Sequence, residues 1–193
     1  MASIYLLRYC EYDNPRHILP GRLPVPLSSE GLQQAQRLAA YFADKKIATI
    51  FSSAVERCKQ TIQPLVENGI PVVYDPRLLE TLSAYQGFWE TNWHGDGYHF
   101  FSHKDELGGE GIPEMQARMV AFWEEIASQV TENIIICSHG DPLQVLYAHI
   151  HQLPLVTEDA HQSVIPGWLE RGEFMELIWE NGQLVKTLPP VAV

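Results

Sequence analysis

The sequence predicts an α/β fold of three layers: a mainly parallel sheet, helices on both of its faces and a C-terminal hairpin at its edge. Three observations predict it. Short apolar runs alternate with longer stretches whose apolar residues recur at helical spacing, as in a parallel sheet covered on both sides. The run 133–137 is apolar almost throughout, which suits a central strand. Near the end, two strand-like runs at 174–180 and 183–188 flank Asn181-Gly182, a dipeptide that favours a tight hairpin turn.

The elements follow in order. Residues 3–7 form a first strand that stops abruptly at Arg8, with Tyr9, Cys10 and Glu11 beyond it. Residues 13–26 form a loop with four prolines and one glycine, carrying Arg16, His17 and Arg22. Ser28 is suited to cap a helix with Glu30 in its first turn, and Leu32, Ala35, Leu38, Ala39 and Phe42 mark its core stripe. A second strand at 47–51 ends at Ser52-Ser53. A helix at 54–68 follows and is stopped by Gly69 and Pro71. Residues 72–74 make a short third strand.

Residues 83–111 are rich in aromatics, glycine and histidine and lack a clean period. A connection this long inside a compact domain is usually functional, and its aromatic content predicts a packed lid. Pro113 suits a helix start, with Met115, Met119, Phe122, Trp123 and Ile126 on one face. Ser138-His139-Gly140-Asp141-Pro142 then turns the fourth strand, 133–137, into another helix.

A length of 193 residues predicts one domain, 1–193, with the lid inserted in it. The net charge of −11 argues against nucleic acid and anionic membrane as partners, although clustered arginines can oppose it locally. No apolar run approaches a membrane span and no secretory leader pattern is present, and Cys10, Cys58 and Cys137 are odd in number and scattered. Together these predict reduced thiols and a cytoplasmic location. His94, His99 and His103 lie in the lid without a cysteine or paired carboxylate at ligand spacing, so neither metal nor other cofactor is expected.

The polar residues that follow the strands carry the chemistry. Arg8 follows the first, Arg57 lies just inside the helix after the second, Glu80 comes shortly after the third and His139 after the fourth. In a parallel sheet those ends share one edge, where ligands bind. Two guanidiniums suit a phosphate or carboxylate, and helix N-termini add backbone N–H donors. Glu80 would serve as a proton donor if the lid desolvates it and raises its pKa. The expected ligand is therefore small and anionic, with an apolar portion if lid aromatics face the pocket. Singly, each of these residues is most simply a surface ion pair or a structural histidine; the register of four reverses that weighting.

At this point the chain resembles the histidine phosphatase, or phosphoglycerate-mutase-like, superfamily. Leu7-Arg8-Tyr9 stands against the family's Arg-His-Gly opening. Gly21-Arg22, Pro26-Leu27-Ser28 and Gly31 with Gln34-Ala35 resemble the loop and helix that follow it. Ser52-Ser53, Arg57 and Gln60-Thr61 resemble its second arginine motif. Leu79-Glu80, Gly87 and Trp89-Glu90 resemble the acid loop, Gly108-Gly109-Glu110 precedes the next helix, and Ser138-His139-Gly140 resembles the second histidine motif. The resemblance implies that Arg8, Arg57 and His139 hold phosphoryl oxygens and that Glu80 protonates the leaving group.

The chain departs from the family at its centre. Position 9 is Tyr9 where the resemblance calls for the histidine that attacks phosphorus, and Cys10 stands where glycine is usual. A neutral phenol is a poor nucleophile, and the longer tyrosine side chain is expected to project into the phosphoryl space. Three readings stay open. The pocket is kept for binding or for other acid/base work by Tyr9, Glu80 and His139, with Arg22, Cys10 and His17 beside them. Alternatively the protein is a phosphomonoesterase with a substitute nucleophile, Cys10 before Tyr9 or His17, since arginines and helix termini lower a thiol pKa. The third is a non-catalytic scaffold.

Overall fold

The computed structural model describes residues 1–83, 85–88, 108–154 and 168–193. Six strands, β1 (Ala2–Arg8), β2 (Ile47–Ser52), β3 (Val72–Tyr74), β4 (Asn133–Ser138), β5 (Phe174–Glu180) and β6 (Gln183–Thr187), form one sheet in the order β3-β2-β4-β1-β5-β6. Neighbours among β1 to β4 pair in parallel, and the β5–β6 hairpin joins β1 antiparallel. The expected mainly parallel sheet, with its hairpin at one edge and 133–138 near its centre, is what the chain forms.

Side chains alternate across a strand, and that period divides the core in two. Ile4 and Leu6 of β1, with Ile134 and Ile136 of β4, pack on one face beneath α3 (Ile112–Ala127) and α4 (Gly140–Ile150). Tyr5 and Leu7, with Ile135 and Cys137, pack on the other beneath α1 (Ser29–Phe42) and α2 (Glu56–Glu67). Each large aliphatic side chain so buried contributes roughly 1.5–3 kcal/mol relative to exposure. α3 buries the predicted Met115, Met119, Phe122, Trp123 and Ile126.

α1 begins as predicted, with Ser28 Oγ accepting the Gly31 N–H at 3.1 Å. Its stripe needs one correction: Ala35, Leu38, Ala39 and Phe42 are buried, whereas Leu32 is 51% exposed. Gly31 takes the buried place in that turn because the backbone of Glu11 crosses it, and Leu32, a step further round the helix, faces out.

Register brings the strand ends level. Arg8 pairs with Ser138, and Ser52 with Cys137. Beyond them, Tyr9 N–H donates to Ser138 O at 3.2 Å and Ser53 N–H to Cys137 O at 3.0 Å. The residues after β1, β2 and β4 therefore leave the sheet side by side.

Most of the expected lid, with Trp89, Trp93, Tyr98, Phe100, Phe101 and the three lid histidines, lies outside the described residues. At its base, Ser83 bridges Gly109, and Glu110 N–H donates to Leu82 O at 2.9 Å. Phe88, read as packing residue, is 53% exposed, with its ring 6.0 Å from that of Tyr85. Among the described residues, no helix is long and apolar enough to cross a membrane.

Candidate active site

The buried centre of the strand-end edge is Arg57. Its backbone lies in the first turn of α2, and its side chain has no solvent exposure. Nη2 donates to Gly21 O at 2.9 Å and to Glu80 Oε2 at 3.0 Å, and stands 2.8 Å from His139 Nδ1. Glu80 Oε2 also lies 3.2 Å from His139 Nδ1. Thus Arg57, Glu80 and His139, expected to meet from three separate strand ends, do meet. Arg57 and His139 both converge on one Glu80 carboxylate oxygen.

Electrostatics corrects one expectation. Burial pushes the Glu80 carboxyl up, but His139, Arg57 and the Thr81 N–H outweigh it and hold the group well below the ordinary carboxylate range. In this arrangement Glu80 is a paired carboxylate and carries no proton to give. Burial pushes His139 down, yet the Cys58 sulfur and the Glu80 carboxylate, acting against Arg57, raise it above its ordinary value. Its Nδ1 faces Glu80 Oε2, and its Nε2 lies 2.8 Å from Ser53 Oγ. Cys58 Sγ lies 3.6 Å from the same Nε2. Burial opposes ionisation of Cys58, but the Cys137 thiol, His139 and Arg57 together draw its pKa down.

Tyr9 fills the middle of this cluster. It is 4% exposed, with its ring centroid 4.4 Å from the Arg57 guanidinium carbon and 5.2 Å from the His139 ring. The ring faces a guanidinium whose Nε and Nη1 are buried without a hydrogen-bond acceptor. The space where an anion was expected is thus taken by a phenol ring and a carboxylate. Arg8 stands at its margin, 5.7 Å from the Tyr9 ring and packed against Gly140 at the start of α4. Arg8 Nη1 donates to Leu169 O at 2.7 Å, while its Nε is buried without an acceptor. Arg8 Nε is a donor that an oxyanion would satisfy, and so are the Arg57 donors once the Tyr9 side chain, which helps raise the Arg57 pKa, moves away.

Two expected site residues lie elsewhere. Cys10 is fully buried in the core shared with α1 and α2, and its N–H donates to Thr61 Oγ1 at 2.9 Å. Burial pushes its thiol up to about 12, the reverse of the activation that nearby arginines predict. His17 sits in an exposed turn with left-handed backbone (φ 47°) and is not part of the buried cluster. Arg22 is at the rim, its Nε donating to Glu80 O at 2.7 Å.

Sequence reasoning missed several supports. Gln34 Oε1 accepts the Glu11 N–H at 2.8 Å, Gln60 Oε1 the Leu27 N–H at 2.7 Å, and Thr61 Oγ1 donates to Arg57 O at 2.7 Å. These helix residues had been matched to motifs without a role; their amide and hydroxyl groups beside strand-end loops were the available signal. Ser53 and Cys58, which contact His139, carried only the hint of flanking Arg57. Arg171, 2.7 Å from Glu11 Oε1 and 4.3 Å above the Tyr12 ring, comes from far along the chain with no local signal. Among the described residues, no group of three or more His, Cys, Asp or Glu side chains is placed to hold a metal ion.

Comparisons with known proteins identify the family and the fold. A Schizosaccharomyces pombe protein named as a probable phosphatase is 29% identical over 162 residues, 76% of this chain and 72% of that protein. The adenosylcobalamin/alpha-ribazole phosphatase of Escherichia coli is 27% identical over 165 residues, covering 78% and 80%. The solved structure of Bacillus stearothermophilus YhfR superposes with a TM-score of 0.78 at 23% identity, over 96% of this chain and 95% of that one. Residues 4–164 match the family model for branch 1 of the histidine phosphatase superfamily, and it is to this family that the chain belongs.

Proposed function

We propose that this chain binds a small phosphate-bearing molecule through Arg8, Arg57 and His139 and does not run the phosphohistidine reaction, because Tyr9 stands in the place of its nucleophile. The carrying observation is the Tyr9 ring, 4.4 Å from the Arg57 guanidinium and 5.2 Å from His139, at the centre of an otherwise complete cluster. A neutral phenol does not attack phosphorus readily without a base or a lowered pKa. Binding requires the ring to swing aside and Glu80 to yield its place, after which the orphaned donors of Arg8 and Arg57 reach the phosphoryl oxygens.

A second reading has its own support. The Schizosaccharomyces pombe and Escherichia coli relatives carry phosphatase names, which favours turnover through another group. Cys10, buried and with a raised pKa, and His17, exposed outside the buried cluster, are poorly suited to that role, which leaves the Tyr9 hydroxyl among the three candidates. Hydrolysis of an aryl phosphate separates the readings. The unaltered chain is expected to turn over no faster than Arg57→Ala, and Tyr9→His to gain activity. Turnover by the unaltered chain that Tyr9→Phe abolishes would establish the second reading and discard the first.

A further inference from the structure

Arg22, Glu80 and Arg57 come from three segments, and a fourth joins them. Glu110, just before α3, has a side chain only 12% exposed and takes four hydrogen bonds. Its Oε1 accepts from Arg22 Nη2 at 3.2 Å, from Arg118 Nη2 at 2.6 Å and from the Leu82 N–H at 2.9 Å; its Oε2 accepts from Arg118 Nε at 2.8 Å. Arg118 belongs to α3 and also donates to Arg77 O, so one side of this junction is fixed to a core helix. On the other side Arg22 donates to Glu80 O, and the adjoining Gly21 O accepts from Arg57. Burial draws the Arg22 pKa down, and Glu110 is the largest influence opposing that loss of charge.

We infer that Glu110 is a positioning residue: it holds Arg22 against the Glu80 loop, and so sets the rim of the phosphate-binding cluster without touching the ligand itself. Without its carboxylate, Arg22 and Arg118 are left as neighbouring cations that repel, the Leu82 N–H loses its acceptor, and the Glu80 loop keeps only weaker ties to α3, such as that of Thr81 Oγ1 to Met115. This role rests on the proposed phosphate binding. It adds that Glu110 acts through Arg22, and that addition is open to a separate test.

The test is a double-mutant cycle read by titration with inorganic phosphate. Phosphate affinity would be measured for the unaltered chain, Glu110→Gln, Arg22→Gln and the double variant, with urea midpoints to establish folding. Each single substitution is expected to weaken phosphate binding by roughly tenfold, and the double variant to bind no more weakly than Arg22→Gln alone. Glu110→Asp should recover part of the loss. Glu30→Gln, which breaks the exposed 2.9 Å pair with Arg37 on α1, should leave phosphate affinity unchanged. Unchanged affinity in Glu110→Gln, or losses that add in the double variant, would overturn the role while leaving the proposed function standing. Failure of the unaltered chain to bind phosphate would overturn both.

Discussion

Tyr9 and Cys10 are adjacent, yet their side chains enter different surroundings. Both border the apolar core beneath α1 and α2, but the Tyr9 ring also lies against the charged cluster, while the Cys10 thiol is fully buried in that core. From the sequence, both looked exposed to the same arginines. The difference is one of contact: the Cys10 N–H is tied to Thr61 and its thiol is fully buried, whereas the Tyr9 ring lies against the Arg57 guanidinium, so a residue beside a binding group need not share its site. With its pKa pushed up to about 12 by burial, the Cys10 thiol is ionised at pH 7 in roughly one molecule in 10⁵. Iodoacetamide at pH 7 should therefore leave Cys10 unmodified in the native protein and label it after denaturation. Peptide mass spectrometry reads this directly, and rapid native labelling of Cys10 would return it to the set of possible nucleophiles.

At the scale of elements, α1 is held to the segment after β1 by an unusually close approach. A Cβ built on Gly31 would lie 1.8 Å from Glu11 O, and Ser28 N–H also donates to that oxygen at 3.1 Å. In an exposed helix interior, glycine to alanine stabilises by about 1 kcal/mol. Here the sign reverses: Gly31→Ala should lower the unfolding free energy by about 1–3 kcal/mol, since helix or strand-end must move apart. A fall in the urea midpoint at unchanged m-value would show this, whereas a rise would mean that α1 shifts at no cost. The same junction shows what the sequence made legible. Apolar runs located the central strands, helical period located α1 and α3, and turn and stop residues located α2, α4 and the hairpin, because burial and chain reversal both leave their mark in the residue pattern. The four chemical side chains were found because parallel strand ends share an edge. Leu32 was misassigned because the crossing backbone at Glu11, which a period cannot register, gives the buried place to Gly31. Tyr9 over Arg57 was foreseen as a plug, but the carboxylate that completes the closure was read as an acid, since its pairing with His139 and Arg57 depends on distances no sequence displays.

That buried pairing also ties the whole fold to pH. Glu80 has an ordinary pKa near 4.5 and is held lower in the folded protein. Its contribution to stability is therefore complete above about pH 5 and is lost as pH falls through the unfolded value toward the folded one. His139, ordinarily near 6.5, is raised. Its contribution is complete below the unfolded value and is lost as pH rises through the raised folded value. The two together favour the folded state most between roughly pH 5 and 6.5. Because the pair joins the ends of β3 and β4 through Arg57 on α2, its loss is felt by global unfolding as well as by the site. Urea unfolding at pH 5.5 and pH 3 tests the acid side. The unaltered chain should lose stability over that interval, and Glu80→Gln should lose less, by on the order of 2 kcal/mol, because it has no carboxylate to protonate. Equal losses in the two proteins would mean that the Glu80 carboxylate is not held by His139 and Arg57 in solution. The Tyr9 ring alone would then stand between Arg57 and an anion, and its movement would be the one rearrangement that binding requires.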